Sequence, residues 1–99
     1  MEEQLFAIFI ERGKTYNKMT KVVVESHVGN IRELDDEGKL EYCGIFKGFP
    51  GVAGMYIVRA NSLEEAKEIC KREPLVQGGY AKAKAYPFTV ANRENNYLS

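Results

Sequence analysis

The sequence predicts one α+β domain in which two helices cover one face of an antiparallel sheet, in the order strand, helix, strand, strand, helix, strand. Three observations predict it. Leu5 to Ile10 is apolar on both alternating faces, the pattern of a strand covered on each side. Two stretches, Met19 to Glu37 and Ser62 to Glu73, carry apolar residues at helical spacing. Shorter runs, Leu40 to Phe46, Met55 to Ala60 and Tyr80 to Phe88, have the composition and alternation of strands. With 99 residues the chain has room for one core and none for a separate cofactor domain.

The first strand, a central one, stops at Arg12-Gly13-Lys14. The first helix places Val24, His27, Val28, Ile31 and Leu34 on one stripe, with Glu25, Arg32, Glu33 and Asp36 largely off it. Its opening Val22-Val23-Val24 favours a strand by propensity, so the helix rests on the later periodicity and on Gly38 as its stop. Gly48 to Gly54, rich in glycine and proline, makes a hairpin loop longer than a tight turn. Ser62 caps the second helix, Glu65 completes a capping box, Leu63, Ala66, Ile69 and Cys70 form the buried stripe, and Pro74 closes the helix. The last strand sets Ala81, Ala83 and Ala85 against Tyr80, Lys82, Lys84, Tyr86 and Phe88, and the alanines let the helices pack closely. This order is the split βαβ, or ferredoxin-like, arrangement, a single domain over residues 1–90 followed by a polar tail over 91–99. The second face of the sheet has no helix left to cover it, which predicts a homodimer packed through that open face.

Bulk properties exclude several classes of function. Fourteen basic and fourteen acidic residues give a formal net charge of zero, so no summed field steers the surface to nucleic acid or anionic lipid. Cys43 and Cys70 lie far apart in otherwise apolar stretches and read as buried, reduced thiols of a cytoplasmic protein. The apolar run after Glu2 and Glu3 is too short for a signal core or a membrane span. Gly13-Lys14-Thr15 is not a phosphate loop, because Ile8 stands where that loop needs its first glycine. One histidine and two distant thiols give no zinc pattern, and no nucleophile signature surrounds a serine or cysteine. No metal and no cofactor are expected.

His27, the sole histidine, is the functional lead, since imidazole exchanges a proton near neutral pH. On the apolar stripe its ring points between helix and sheet, where partial burial opposes its charged form and a nearby carboxylate favours it. Glu73 stands at a helix C-terminus, where the macrodipole disfavours a carboxylate, whereas Lys71 and Arg72 obey the usual rule. The alternatives are a core histidine satisfied by a backbone carbonyl and a solvated Glu73 paired with Lys71 or Arg72. Lys82, Lys84 and Tyr80, with Tyr42 on the second strand, are weaker candidates for binding an acidic or enolate-forming ligand if that strand face lines a cavity; solvated charges or dimer-edge contacts are the plainer account of them.

The spacing of His27, Gly38-Lys39-Leu40, Gly44, Ser62 to Ala66, Glu73-Pro74, Gly79 and Pro87-Phe88 resembles the YCII-related family of small dimeric α+β proteins, over about residues 26–88. The resemblance implies a dimeric α+β barrel and a catalytic pair, a histidine on the first helix and an aspartate at the end of the second. His27 matches the first, and Glu73-Pro74 matches an Asp-Pro as glutamate. It further implies lyase or isomerase chemistry, without a cofactor, on a small organic acid or a cyclic or aromatic compound, His27 moving the proton and Glu73 orienting its ring. A non-catalytic ligand-binding or interaction module on the same scaffold is the alternative.

Overall fold

The computed structural model describes residues 3–98; Met1, Glu2 and Ser99, which fall in the expected domain and tail, lie outside the described residues. Strand β1 (Gln4–Arg12) is followed by a short 3-10 turn at Tyr16–Lys18, helix α1 (Lys21–Asp36), the hairpin strands β2 (Leu40–Ile45) and β3 (Val52–Ala60), helix α2 (Leu63–Arg72), a one-turn helix α3 (Pro74–Gln77) and β4 (Ala81–Phe88). The four strands pair antiparallel in the order β2-β3-β1-β4, which is the ferredoxin-like topology. As its two-sided apolar pattern requires, β1 lies inside the sheet between β3 and β4.

Alternation assigns the strand residues to two faces. Phe6, Ile8 and Ile10 stand beside Val58, Tyr56 and Gly54 on the helix side, where they pack with Leu34, Ala66 and Ile69 into one core. Each fully buried apolar side chain there, such as Phe6 or Ile8, contributes about 1.5–3 kcal/mol. Ala83 and Ala85 of β4 lie opposite Ile10 and Ile8 on that same side, and their small side chains let α2 lie against β4. The other face carries Ala7, Phe9, Met55 and Ile57, and among the described residues no helix covers it.

The helix signals act as their chemistry dictates, with three corrections. Thr20 caps α1, within a residue or two of the start expected near Met19: its hydroxyl accepts from Val23 N–H at 3.3 Å. The buried face of α1 is Val23, Asn30, Ile31 and Leu34 beside His27, whereas Val24 and Val28 are exposed; the stripe is turned by about one residue from the expected one. Ser62 Oγ accepts from Glu65 N–H at 3.1 Å, but the Glu65 carboxylate reaches Asn61 N–H rather than Ser62, so the box closes one residue early. Third, Pro74 does not simply end α2: it is the first residue of α3, a position that suits a residue with no N–H to donate.

Cys70 is buried and Cys43 is exposed on the edge strand β2; both are free thiols, so the expectation of two buried ones holds for Cys70 alone. The tail forms a second 3-10 turn at Arg93–Asn95, closed by reciprocal Asn92 and Asn95 hydrogen bonds, and leaves Tyr97 and Leu98 exposed. Among the described residues no helix is long and apolar enough to cross a membrane.

Candidate active site

Three elements converge at the junction between α2 and α3. Glu73 is at once the C-cap of α2 and the N-cap of α3, with extended backbone at φ −67° and ψ 121°. Because Pro74 has no N–H, the donor of the new first turn that needs a partner is Leu75, and Glu73 Oε2 accepts from it at 2.8 Å. The acid that looked misplaced at one helix C-terminus is well placed at the N-terminus of the next. Capping uses Oε2 and leaves Oε1 free to point back between α1 and the sheet.

Helix α1 brings His27 to that oxygen. Its Nδ1 lies 2.7 Å from Glu73 Oε1, and its side chain is 23% exposed against 1% for the carboxylate. Strand β3 brings Tyr56, whose hydroxyl donates to the same Oε1 at 2.5 Å and lies 3.4 Å from His27 Nδ1. A buried carboxylate accepting from three donors is favoured in its charged form. Burial alone would raise its pKa, yet the hydrogen bonds from His27, Tyr56 and Leu75 outweigh that and hold the Glu73 carboxyl below its usual range. Burial first, then the charge and hydrogen bond of Glu73, push the Tyr56 phenol far above its usual range, so it stays protonated as a donor. An ionised carboxylate can only accept, so Nδ1 of His27 carries the proton, and Nε2 is the ring nitrogen left to exchange one.

His27 and Tyr56 both line a cavity of about 340 Å³ between α1 and the β2-β3 edge of the sheet. Tyr16, from the turn after β1, and Cys43 complete its polar lining. Arg12 lies over the Tyr16 ring, 5.3 Å from its centroid, and its Nη1 donates to the carbonyls of Phe49 and Val52, so the hairpin loop is tied down next to the cavity. Although Cys43 is exposed as a residue, the cavity wall shields its thiol from part of the solvent, and this desolvation, then the negative charge of Glu73, raises its pKa and keeps it neutral. Among the described residues no three histidine, cysteine or acidic side chains converge to hold a metal ion.

His27 and Glu73, remote in sequence, are thus adjacent. The other candidates are elsewhere. Tyr42 pairs with Ile57, and Lys82 and Lys84 pair with Glu11 and Phe9, which puts all three on the face of the sheet away from the helices. Lys84 approaches Glu11 at 3.5 Å. Tyr80 precedes β4, and its ring abuts Gly78 rather than the cavity. Two residues that sequence reasoning passed over, Tyr56 and Tyr16, line the cavity instead. A signal for Tyr56 was present: it shares alternation with Val58 and Ala60, so its hydroxyl had to find a partner on the buried face.

A search of curated proteins by sequence finds no match. Among solved structures, the chain is similar to 5-chloro-2-hydroxyhydroquinone dehydrochlorinase from Burkholderia phenoliruptrix AC1100, solved in complex with 2,5-dihydroxybenzoquinone. The TM-score is 0.73 at 15% identity, covering 92% of this chain and 98% of that one, a likeness of fold. The family model of the YCII-related domain matches residues 5–89, and this chain therefore belongs to the YCII-related family.

Proposed function

We propose that this protein is a cofactor-independent enzyme that performs acid/base chemistry of the lyase or isomerase type on a small organic compound, with His27 as the proton-transferring group. The observation that carries the reading is the 2.7 Å contact between His27 Nδ1 and the buried Glu73 carboxylate, with the histidine ring on the wall of an open cavity. Glu73 fixes the Nδ1–H tautomer and balances the imidazolium formed when Nε2 takes a proton; Tyr56 keeps the carboxylate turned towards the ring. The dehydrochlorinase with the same fold supports a small-molecule substrate. An open cavity with His27 on its wall supports turnover over a non-catalytic ligand-binding or interaction module, for which a filled or shut pocket is expected.

The working unit is a homodimer joined through the open sheet face, and it acts in the cytoplasm. Half-buried Phe9 and Met55, with the exposed rings of Tyr42, Tyr86 and Phe88 around them and Ala7 and Ile57 buried beneath, form an apolar surface that a second copy would cover. Two free thiols suit a reducing compartment.

The test has two parts. Nitrogen-15 NMR of the His27 ring should find the proton of the neutral form on Nδ1 in the parent and not in Glu73→Gln. Halide release from chlorinated hydroxyhydroquinones, the compound class of the similar enzyme, should fall by about 10²–10⁴-fold in His27→Asn. An unaltered tautomer, or a His27→Asn variant as active as the parent, overturns the reading.

A further inference from the structure

We infer that the cavity beside His27 takes an uncharged ring bearing a hydroxyl group, a phenol or an enol, and discriminates against carboxylates; the inference rests on the acid/base reading of the same site and names its substrate class. The walls decide the shape and polarity. Ile10, Ile31, Ile45 and Leu75 give the cavity an apolar lining, and its 340 Å³ lies at the small end of ligand pockets, a size for one ring. Its polar lining is His27, Tyr56, Tyr16 and Cys43, with the Tyr56 hydroxyl 3.4 Å from His27 Nδ1.

Charge decides the rest. Among the described residues no lysine or arginine lines the cavity. Arg12, which reaches Tyr16, has its Nη1 committed to the Phe49 and Val52 carbonyls. Arg12 keeps its positive charge behind Tyr16, outside the lining, so the fixed charge that bears directly on His27 is the negative one of Glu73, which already faces that imidazole. A carboxylate ligand would bring a second anion to that imidazole and leave water to do so. A neutral hydroxyl avoids both costs on entry. It donates to Nε2 of His27; when the proton passes from oxygen to Nε2, the electron pair stays on oxygen, and the resulting phenolate or enolate lies against an imidazolium that Glu73 stabilises from behind. Tyr56, whose O–H donates to Glu73, offers the ligand only lone pairs, which suits a second ring hydroxyl as donor. Lys82 and Lys84, the cations that would welcome an acid, are across the sheet.

Resorcinol and benzoate, similar in size and respectively neutral and anionic at pH 7, separate the alternatives. Titrated into the labelled protein, resorcinol should shift the His27 ring and the amides of Ile31, Cys43 and Leu75, and should bind at least about tenfold more tightly than benzoate, a difference of about 1.4 kcal/mol. Lys82→Ala/Lys84→Ala should bind resorcinol like the parent. Benzoate matching or exceeding resorcinol at His27 overturns the substrate class while leaving the acid/base pair standing. Resorcinol that fails to bind, or that maps to the open sheet face, overturns it too. Loss of the acid/base reading is scored separately, by the Nδ1–H tautomer test.

Discussion

The Tyr56 hydroxyl and the His27 ring converge on one oxygen, Oε1 of Glu73, at 2.5 and 2.7 Å. With Leu75 N–H on the other oxygen at 2.8 Å, the carboxylate has lost its freedom to rotate. A group so held can act on the imidazole without first being oriented, and its position depends on a tyrosine that belongs to a different element. Tyr56 is thus a positioning residue for the histidine.

Tyr56→Phe keeps the ring and deletes the donor, leaving a buried charged acceptor one partner short, so unfolding by denaturant should show a loss of about 1.5–3 kcal/mol. The pH dependence has a definite sign. The folded phenol titrates far above the ordinary value of 10.0, so its stabilisation is complete below pH 10 and declines as pH rises beyond it, where only the unfolded chain ionises. The parent should therefore lose stability between about pH 10 and 11 more steeply than Tyr56→Phe. Equal slopes would mean that the hydroxyl is not held by the carboxylate.

On the acid side the sign reverses. The folded Glu73 carboxyl lies below its ordinary 4.5, so it stabilises the fold above that pH and ceases to do so as pH falls through the lower folded value. Equilibrium unfolding of the parent and of Glu73→Gln should show a gap between them at pH 7 that narrows below about pH 4. A gap that does not change with pH would show that the contribution of Glu73 does not depend on its charge.

The strand pattern was legible because alternation is local: the alanines of β4 were separable from its lysines by parity alone, and the observed register keeps that separation. The same parity carried information about the site. Lys82 and Lys84 fall opposite to the alanines that face the helices, and His27 is on a helix, so in one subunit the lysines are on the wrong side of the sheet to reach it. The phase of α1 was harder, since Val22, Val23 and Val24 offer three apolar choices and only the cap at Thr20 selects among them. Pro74 was ambiguous for a physical reason: a proline that cannot continue one helix is equally suited to start another. Tyr56 could be placed on a face, but its partner 17 residues away could not be named before the chain was folded.

Gly54 tests how closely β2 and β3 must approach at the cavity. A Cβ there would stand 2.6 Å from the Gly44 carbonyl oxygen, a backbone atom that cannot swing aside. Gly54→Ala should therefore pry the hairpin apart and cost about 1–3 kcal/mol. Hydrogen exchange should accelerate at Ile45 and Gly54, which pair across that contact, and less at β1-β4 pairs such as Ile8 with Ala85. Uniform acceleration across the sheet would locate the damage elsewhere.

Glu73→Asp separates the two tasks of this carboxylate. Aspartate is a good N-cap, so the shorter side chain should stay with Leu75 N–H and preserve α3. Removing one methylene, however, draws the carboxylate back by about 1.5 Å, and a contact of 2.7 Å cannot survive that withdrawal unless the α2-α3 junction moves. Glu73→Asp should thus protect the amides of Leu75 to Gln77 nearly as well as the parent while releasing the Nδ1–H tautomer of His27. In Glu73→Gln the carboxylate is lost altogether, so the hydrogen-bonded position next to Leu75 weakens along with the histidine contact. If Glu73→Asp instead retains the Nδ1–H form, a comparison of α3 amide shifts will reveal whether the junction has followed the shorter arm towards His27; unmoved shifts with the tautomer retained would mean that something other than the carboxylate fixes the ring.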